Sequence, residues 1–237
     1  MSGLEKVLAE VKVFSFDVDG TLLDSYTYMR DVLQILLLYI GVPAGMLEMV
    51  TDDVYRSWYD LEKRGVFDYG KMHLFLEEFA RKYAVPVRYD VKEFQDLLLE
   101  ARVKGSEPYR CAVKLLSELK KRGKIVVSVS GGDGVPGMKR RRIEEGVPVK
   151  LFDKILVVPE DAPSRVEALN AVREEFGVSN EEVLHVDDRP QHAAEAYSAG
   201  FKAMVVKTGF YDPYFRLPDG VLVVDDLCAV LDALSKL

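Results

Sequence analysis

The chain has 237 residues, of which 49% are hydrophobic and 30% are charged, and its formal net charge is −7. This composition is typical of a soluble globular protein with one large or two small domains. The acidic balance argues against a general nucleic-acid binder, which needs a basic surface, and the longest apolar run is too short to span a bilayer.

The start of the chain and its cysteines bear on the cellular compartment. No basic segment followed by an apolar stretch opens the sequence, so we predict no signal peptide and a cytoplasmic protein. The two cysteines, Cys111 and Cys228, are far apart and match no metal-binding spacing, which favours reduced thiols over a disulfide. Asn and Gln are scarce beside many Lys, Arg and Glu, which indicates a thermophilic source.

The first predicted element is a buried strand that ends in two carboxylates. Residues 11–16 form a short, mostly apolar run, and Asp17, Asp19 and Gly20 follow it. Open α/β sheets bind ligands at the carboxyl ends of their strands. Two neighbouring carboxylates repel unless they share a proton or a cation, oxygen ligands suit Mg²⁺, and an Asp can attack phosphorus. The alternative, in which both acids only cap a turn, stays open here.

The next stretch, residues 24–104, is predicted to be helical throughout. Apolar residues recur at helical spacing over 25–40, 44–63, 69–83 and 91–103, and Gly or Pro separates these patterns. No alternating strand pattern is visible in it. We interpret the apolar stripes as packing between the helices.

Beyond residue 105, strands and helices alternate, which predicts a parallel sheet covered on both faces. We therefore predict an α/β fold: a Rossmann-like parallel sheet core formed by residues 1–23 and 105–237, with an inserted all-helical cap domain over 24–104. The strands predicted after residue 105 are 125–130, 152–158, 183–186, 203–207 and 221–224, and the helices are 109–122, 138–145, 164–176, 193–199 and 227–236.

Two further strand ends carry polar residues. Ser130 ends one strand and Gly131 follows, and a hydroxyl with flexible backbone amides can hold phosphate oxygens. Ser128, two residues earlier on the same face, is the weaker candidate. Asp187 and Asp188 end another strand, and a second acidic strand end makes metal binding the favoured interpretation.

These strand ends resemble a known family. The segment Phe16-Asp17-Val18-Asp19-Gly20-Thr21-Leu22 is similar to the first signature of the haloacid dehalogenase-like hydrolase superfamily, and the later strand ends follow in that family's order. The resemblance implies that Asp17 is the nucleophile and Asp19 the general acid and base. It also implies Mg²⁺ as cofactor, and the predicted metal-site residues are Asp17, Asp19 through its backbone carbonyl, Asp188 and Asp187.

The sequence departs from the family pattern at one position. The resemblance places a Lys near Asp161, before the helix of residues 164–176, and no Lys is there. Two like charges about 4 Å apart repel by roughly 4 kcal/mol at an effective dielectric of 20, so a site rich in acids needs another cation. We predict that Arg165 supplies it as a catalytic and phosphate-binding residue, with Arg189 and Lys154 as alternatives.

Together, the residues and the resemblance predict a Mg²⁺-dependent phosphoric monoester hydrolase. It acts through an aspartyl-phosphate on Asp17, with Ser130, Gly131 and Arg165 holding the phosphoryl group, and the expected activity is phosphoglycolate-phosphatase-like. We expect a small phosphorylated metabolite as substrate, no nucleic-acid or membrane partner, and a monomer or homodimer.

Two alternatives remain open from the sequence. A 2-haloacid dehalogenase would not need Asp19, because a halide leaves without being protonated. A catalytically silent regulator that binds phosphate or a metabolite is motivated by the missing Lys.

Overall fold

The computed structural model describes residues 3–237, which form two compact units. The first contains the described residues up to Asp24 together with Pro108–Gly132 and Ile143–Leu237, and the second contains Ser25–Glu107 and Asp133–Arg142. The second unit thus includes a segment, Asp133–Arg142, that lies outside the insert predicted from the sequence.

A six-stranded parallel sheet forms the framework of the first unit. Residues 3–237 contain eight strands in all, six in this sheet and two in a separate pair: β1 (Val13–Phe16), β2 (Leu23–Asp24), β3 (Glu107–Pro108), β4 (Ile125–Gly131), β5 (Lys154–Val158), β6 (Val183–Asp187), β7 (Lys202–Val206) and β8 (Leu222–Val224). The order in the large sheet is β5-β4-β1-β6-β7-β8, and β2 pairs with β3 separately. The predicted fold class, α/β with a Rossmann-like parallel sheet, is confirmed.

Ten α-helices occur among residues 3–237. They are α1 (Gly3–Glu10), α2 (Met29–Tyr39), α3 (Leu47–Lys63), α4 (Met72–Lys82), α5 (Val91–Lys104), α6 (Ala112–Lys121), α7 (Met138–Gly146), α8 (Arg165–Phe176), α9 (Pro190–Ser198) and α10 (Leu227–Leu234). None of these described helices is both long enough and apolar enough to cross a membrane.

Strand β1 lies inside the sheet, and successive residues pack on opposite faces. Phe14 and Phe16 belong to the apolar core that includes residues of α6 and α10. Val13 belongs to the core on the other face, where Leu169 of α8 packs. Asp17 continues the alternation of Val13, so the strand directs it toward the face that α8 covers.

The second unit is built from helices α2 to α5 around buried aromatic side chains. Trp58 donates a hydrogen bond from Nε1 to the Tyr69 hydroxyl at 3.3 Å. The guanidinium of buried Arg102 lies 4.3 Å from the centre of the Tyr69 ring, a cation–π contact. The stripe residues Val32, Leu33, Leu36 and Leu37 of α2 are buried, in agreement with the interpretation of the apolar stripes as packing between helices.

The segment Asp133–Arg142 is tied into the second unit by charge. Asp133 is buried and forms ion pairs with Lys139 at 3.1 Å and Arg142 at 2.8 Å. Arg142 also donates to the hydroxyls of Ser25 at 2.9 Å and Ser106 at 3.3 Å. These ion pairs and hydrogen bonds explain why the segment does not group with the sheet that precedes it.

The expectation of two reduced cysteines is wrong for this structure. Cys111 and Cys228 form a disulfide with a Cα–Cα distance of 5.2 Å. The sequence separation of 117 residues misled the prediction, because α6 and α10 pack side by side and bring their first turns together. A Cα–Cα distance in this range permits a disulfide whatever the separation along the chain.

Candidate active site

Three buried carboxylates from neighbouring strands converge at the carboxyl edge of the sheet. Asp17 follows β1, whereas Asp187 ends β6 and Asp188 comes next. The two strands are hydrogen-bonded in parallel, with Phe16 opposite Val186. One carboxylate oxygen from each of the three acids lies within 4.8 Å of the other two. The two acidic strand ends singled out in the sequence therefore occupy one place.

Asp188 lies in surroundings that disfavour its ionised form. Its Oδ2 accepts a hydrogen bond from the Phe210 amide at 2.6 Å, whereas its Oδ1 has no hydrogen-bond partner in the described part of the chain. Burial, followed by the charges of Asp187 and Asp17, raises the pKa of Asp188 well above its ordinary value. An ionised Asp188 is thus costly here unless a positive charge binds to it.

Asp187 has the opposite environment, although it is the adjacent residue. Its Oδ1 accepts from the Arg189 amide at 2.8 Å, and its Oδ2 lies 3.3 Å from His185 Nε2 and 3.2 Å from His192 Nδ1. Burial alone would raise the pKa of Asp187. The interactions with His192, Arg165 and His185 outweigh burial, and the pKa lies well below its ordinary value. The Asp187 carboxylate is therefore ionised, and both of its oxygens accept hydrogen bonds.

His185 connects Asp187 to the interior of the sheet. Its Nδ1 lies 3.0 Å from the Ser15 hydroxyl and its Nε2 faces Asp187, and all three residues are buried. Burial lowers the pKa of His185, and Asp187 opposes the shift only in part, so the ring is neutral at pH 7. The sequence analysis gave His185 no role. The signal was present, because alternate strand residues share a face and Ser15 pairs with His185 across the two strands.

Arg165 is the cation that the structure places beside Asp17. Its Nη1 lies 3.3 Å from Asp17 Oδ1 and 3.6 Å from Asp187 Oδ2, and it donates to the Val129 carbonyl at 2.8 Å. Its Nη2 lies 3.0 Å from His192 Nδ1. Burial lowers the pKa of Arg165, but the two carboxylates outweigh burial and the pKa is raised.

The other candidate cations lie in different surroundings. Lys154 forms an ion pair with Glu175 of α8. The guanidinium of Arg189 lies 4.9 Å from the centre of the Phe210 ring. Asp161, where the family Lys was expected, accepts from the Val157 amide at 2.7 Å and so closes the turn after β5. Arg165 forms ion pairs with two acids of the cluster, Asp17 and Asp187.

Buried hydroxyls lie at the carboxyl ends of β1 and β4. The hydroxyl oxygens of Thr21, Ser128 and Ser130 are buried and have no hydrogen-bond partner within residues 3–237. Ser130 is the next-to-last residue of β4, and Gly131 ends the strand. A buried hydroxyl without a partner costs free energy, which a bound phosphate oxygen would relieve. The predicted phosphate-binding role of Ser130 and Gly131 stays a prediction.

Asp19 is buried but is not part of the carboxylate cluster, which consists of Asp17, Asp187 and Asp188. Gly20, the next residue, has a φ of +81° and lies so close to Asp188 that a Cβ atom would collide with its carboxylate. The backbone after β1 therefore passes directly beside Asp188. The roles predicted for Asp19, as a backbone ligand and as an acid and base, remain predictions.

The donor set fits a hard divalent cation. The acids of the cluster supply only oxygen ligands, and Asp188 Oδ1 lacks any other partner among residues 3–237. Small oxygen-lined sites with one or two protein carboxylates suit Mg²⁺. Asp17 and Asp188 are the residues that would hold it. The metal role predicted for Asp187, whose oxygens accept hydrogen bonds from the Arg189 amide and His185, stays a prediction.

Both a family model and individual known proteins match this sequence. A model of the haloacid dehalogenase-like hydrolases matches residues 11–200. A phosphoglycolate phosphatase of Pseudomonas savastanoi is 25% identical over 96% of this chain and 82% of its own. Another, from Pseudomonas syringae pv. syringae, is 28% identical over 59% of this chain and 58% of its own.

Solved structures share the fold at low identity. A predicted phosphoglycolate phosphatase from Haemophilus somnus has a TM-score of 0.64 at 19% identity, covering 95% of this chain and 98% of its own. A putative beta-phosphoglucomutase from Thermotoga maritima has a TM-score of 0.69 at 16% identity, covering 96% and 100%. The L-2-haloacid dehalogenase of Xanthobacter autotrophicus has a TM-score of 0.63 at 19% identity, covering 96% and 99%.

The family model spans most of the chain, including both acidic strand ends. This protein belongs to the haloacid dehalogenase-like hydrolases, and the prediction that it is an enzyme of this superfamily is confirmed.

Proposed function

We propose that this enzyme hydrolyses a small phosphate monoester through an aspartyl-phosphate on Asp17, with Mg²⁺ as cofactor. The observation that carries the proposal is the convergence of Asp17 and Asp188, with Asp188 Oδ1 lacking any other partner among the described residues and Arg165 lying against Asp17. The phosphoglycolate phosphatases among its relatives support a small phosphorylated acid as substrate.

The reaction begins with attack of an Asp17 oxygen on phosphorus. The bond from phosphorus to the ester oxygen breaks, and Asp19 donates its proton to the leaving alcohol. Asp19 then takes a proton from a water molecule, which attacks phosphorus and releases phosphate from Asp17. Proton transfer by a positioned side chain typically contributes about 10²–10⁴ in rate.

Other side chains stabilise the charge that develops on the phosphoryl oxygens. Arg165 lies within reach of the group that Asp17 attacks, since its Nη1 is 3.3 Å from Asp17 Oδ1. Ser130 and the backbone after it supply neutral donors. Mg²⁺, held by Asp17 and Asp188, would neutralise phosphoryl charge and orient the ester for in-line attack.

Replacing Asp17 tests the proposed nucleophile. We expect Asp17→Asn to lose phosphatase activity on 2-phosphoglycolate and other small phosphate esters, while circular dichroism and the melting temperature show a folded protein. Phosphate release in Mg²⁺ is the measurement. Wild-type turnover in the variant would contradict the assignment.

The same assay separates the two alternatives. A dehalogenase would release halide from a 2-haloacid without Mg²⁺ and would leave phosphate esters intact. A silent regulator would bind a phosphorylated metabolite without releasing phosphate. The position of Arg165 favours a phosphatase over a silent regulator, because Arg165 supplies a cation to a site where the family Lys is missing.

A further inference from the structure

A short segment after β7 reaches the acid cluster from a third part of the chain. It consists of Thr208, Gly209 and Phe210, and it contains no titratable side chain. Strand β7 is the neighbour of β6, so the carboxyl end of β7 lies at the same edge of the sheet as Asp187 and Asp188. No role was predicted for this segment from the sequence.

Two hydrogen bonds join the segment to the two acidic strand ends. The Thr208 hydroxyl donates to the carbonyl of Gly20 at 2.5 Å, and Gly20 directly follows Asp19. The Phe210 amide donates to Asp188 Oδ2 at 2.6 Å. One side of the segment thus holds the backbone after β1, and the other side holds the carboxylate after β6.

Gly209 lies where these two parts of the chain come closest. A Cβ atom built on Gly209 would stand 2.7 Å from Cα of Gly20 and would collide with the carboxylate of Asp188. Gly209 also has a φ of +46°, in the left-handed region that favours glycine. The close approach therefore requires glycine at this position, because any side chain would displace Asp188.

The segment is itself anchored on both sides. The amide of Lys207 donates to the Val224 carbonyl at 3.0 Å, and the amide of Tyr211 donates to the Thr208 carbonyl at 3.0 Å. The Phe210 ring lies under the guanidinium of Arg189, the residue after Asp188. These contacts fix the Phe210 amide relative to the sheet and so fix the direction of Asp188.

We propose that Thr208, Gly209 and Phe210 form a positioning segment for the metal site. The segment occupies Asp188 Oδ2 and leaves Oδ1 available to a divalent cation. This inference rests on the proposed function, because it assumes that Asp188 binds the divalent ion. Residues that orient metal ligands typically change metal affinity about 10–100-fold when they are altered.

The test measures Mn²⁺ binding without substrate, from the free Mn²⁺ signal in electron paramagnetic resonance. We expect Thr208→Val to bind Mn²⁺ about tenfold more weakly than the wild type and Thr208→Ser to retain affinity, since only serine keeps the hydroxyl. Gly209→Ala should lose still more. Gly123→Ala is its matched control, because Gly123 has a φ of +69° and no atom near its Cβ position.

The outcomes separate this inference from the proposed function. Wild-type protein that fails to bind Mn²⁺ would overturn both, whereas binding that is lost in Asp188→Asn supports the metal site. If Thr208→Val and Gly209→Ala then bind as the wild type does, only the positioning segment is refuted. Equal losses in Thr208→Val and Thr208→Ser would refute it as well, because the hydroxyl would not be responsible.

Discussion

Adjacent residues of the same type acquire opposite properties at this site. Asp187 ends β6 on the face where Ser15, His185 and Arg165 lie, and its oxygens accept hydrogen bonds. Asp188 lies beyond the strand end, and one of its oxygens has no partner in the described chain. Burial raises the pKa of both carboxyls, but only Asp187 has the neighbours that reverse the shift. Two adjacent aspartates thus differ in their surroundings: the oxygens of Asp187 accept hydrogen bonds, whereas one oxygen of Asp188 has no partner among residues 3–237.

This difference predicts opposite effects on stability without metal. Asp188→Asn should raise the melting temperature in the presence of a chelator, because it removes a costly buried charge while an amide oxygen can still accept from the Phe210 amide. Asp187→Asn should lower it, because an NH₂ group would replace an oxygen that faces only donors. Scanning calorimetry in a chelator measures both, and roughly 2–4 °C corresponds to 1 kcal/mol in a chain of this size. A parallel response of the two variants would contradict the assignment.

Arg165 is expected to contribute to catalysis through its positive charge and through the contacts of its guanidinium. Arg165→Met removes the cation and leaves Asp17 and Asp187 without it, so kcat should fall by about 10²–10³, as for other lost charge-stabilising donors. Arg165→Lys keeps the charge but loses the guanidinium that contacts both Val129 and His192. Its kcat should therefore lie between those of the wild type and Arg165→Met. Steady-state kinetics at saturating Mg²⁺ provide the comparison. Equal rates for Met and Lys would show that the charge is not required.

Helix α8 begins with Arg165, a position at which the helix dipole disfavours a positive charge. The N-terminus of a helix carries partial positive charge, which disfavours Arg at the first helical position. Arg165 occupies that position, and Asp17 and Asp187 compensate for the unfavourable placement. Ser164 caps the helix by accepting the Glu167 amide at 3.2 Å, and so fixes where the helix begins.

The cap of α8 should therefore affect both stability and catalysis. Ser164→Ala is expected to cost about 0.5–2 kcal/mol of unfolding free energy and to lower kcat, because the start of the helix carries Arg165. Asp226→Ala is the control, since Asp226 caps α10 in the same way by accepting the Ala229 amide at 3.0 Å. It should cost similar stability without changing kcat. Denaturant unfolding and steady-state kinetics on both variants test this, and an unchanged kcat in Ser164→Ala would contradict it.

The elements that the sequence predicted are those with a strong period or a clear stop. The strand before Asp17 is observed as Val13–Phe16 and the capped helix as Arg165–Phe176, because each has an apolar pattern and a defined boundary. Helix α1 was not predicted, and the short pair β2 and β3 is too brief to show a period. The contacts of Thr208–Phe210 could not be predicted for a different reason. They depend on the backbone amide of Phe210 and on the absence of a side chain at Gly209, and neither feature marks a functional site in a sequence.

At the scale of the whole molecule, the chain leaves the first unit after Asp24 and returns to it at Pro108. The disulfide lies close after this return, at the start of α6, and joins it to the start of α10 near the end of the chain. It therefore closes most of the sheet-forming sequence into one covalent loop. A crosslink over so long a segment restricts the unfolded chain strongly, which favours the folded state.

Breaking this crosslink should lower stability without affecting the site chemistry. Cys228→Ser is expected to lose about 2–5 kcal/mol of unfolding free energy. Wild-type protein in a reducing agent should lose the same amount, and the reducing agent should leave Cys228→Ser unchanged, which separates loss of the bond from loss of packing by the sulfur. Thermal unfolding with and without dithiothreitol measures all three, and thiol titration of the denatured wild type should find no free thiol. Two reactive thiols together with an unchanged melting temperature would show that the disulfide does not form in solution.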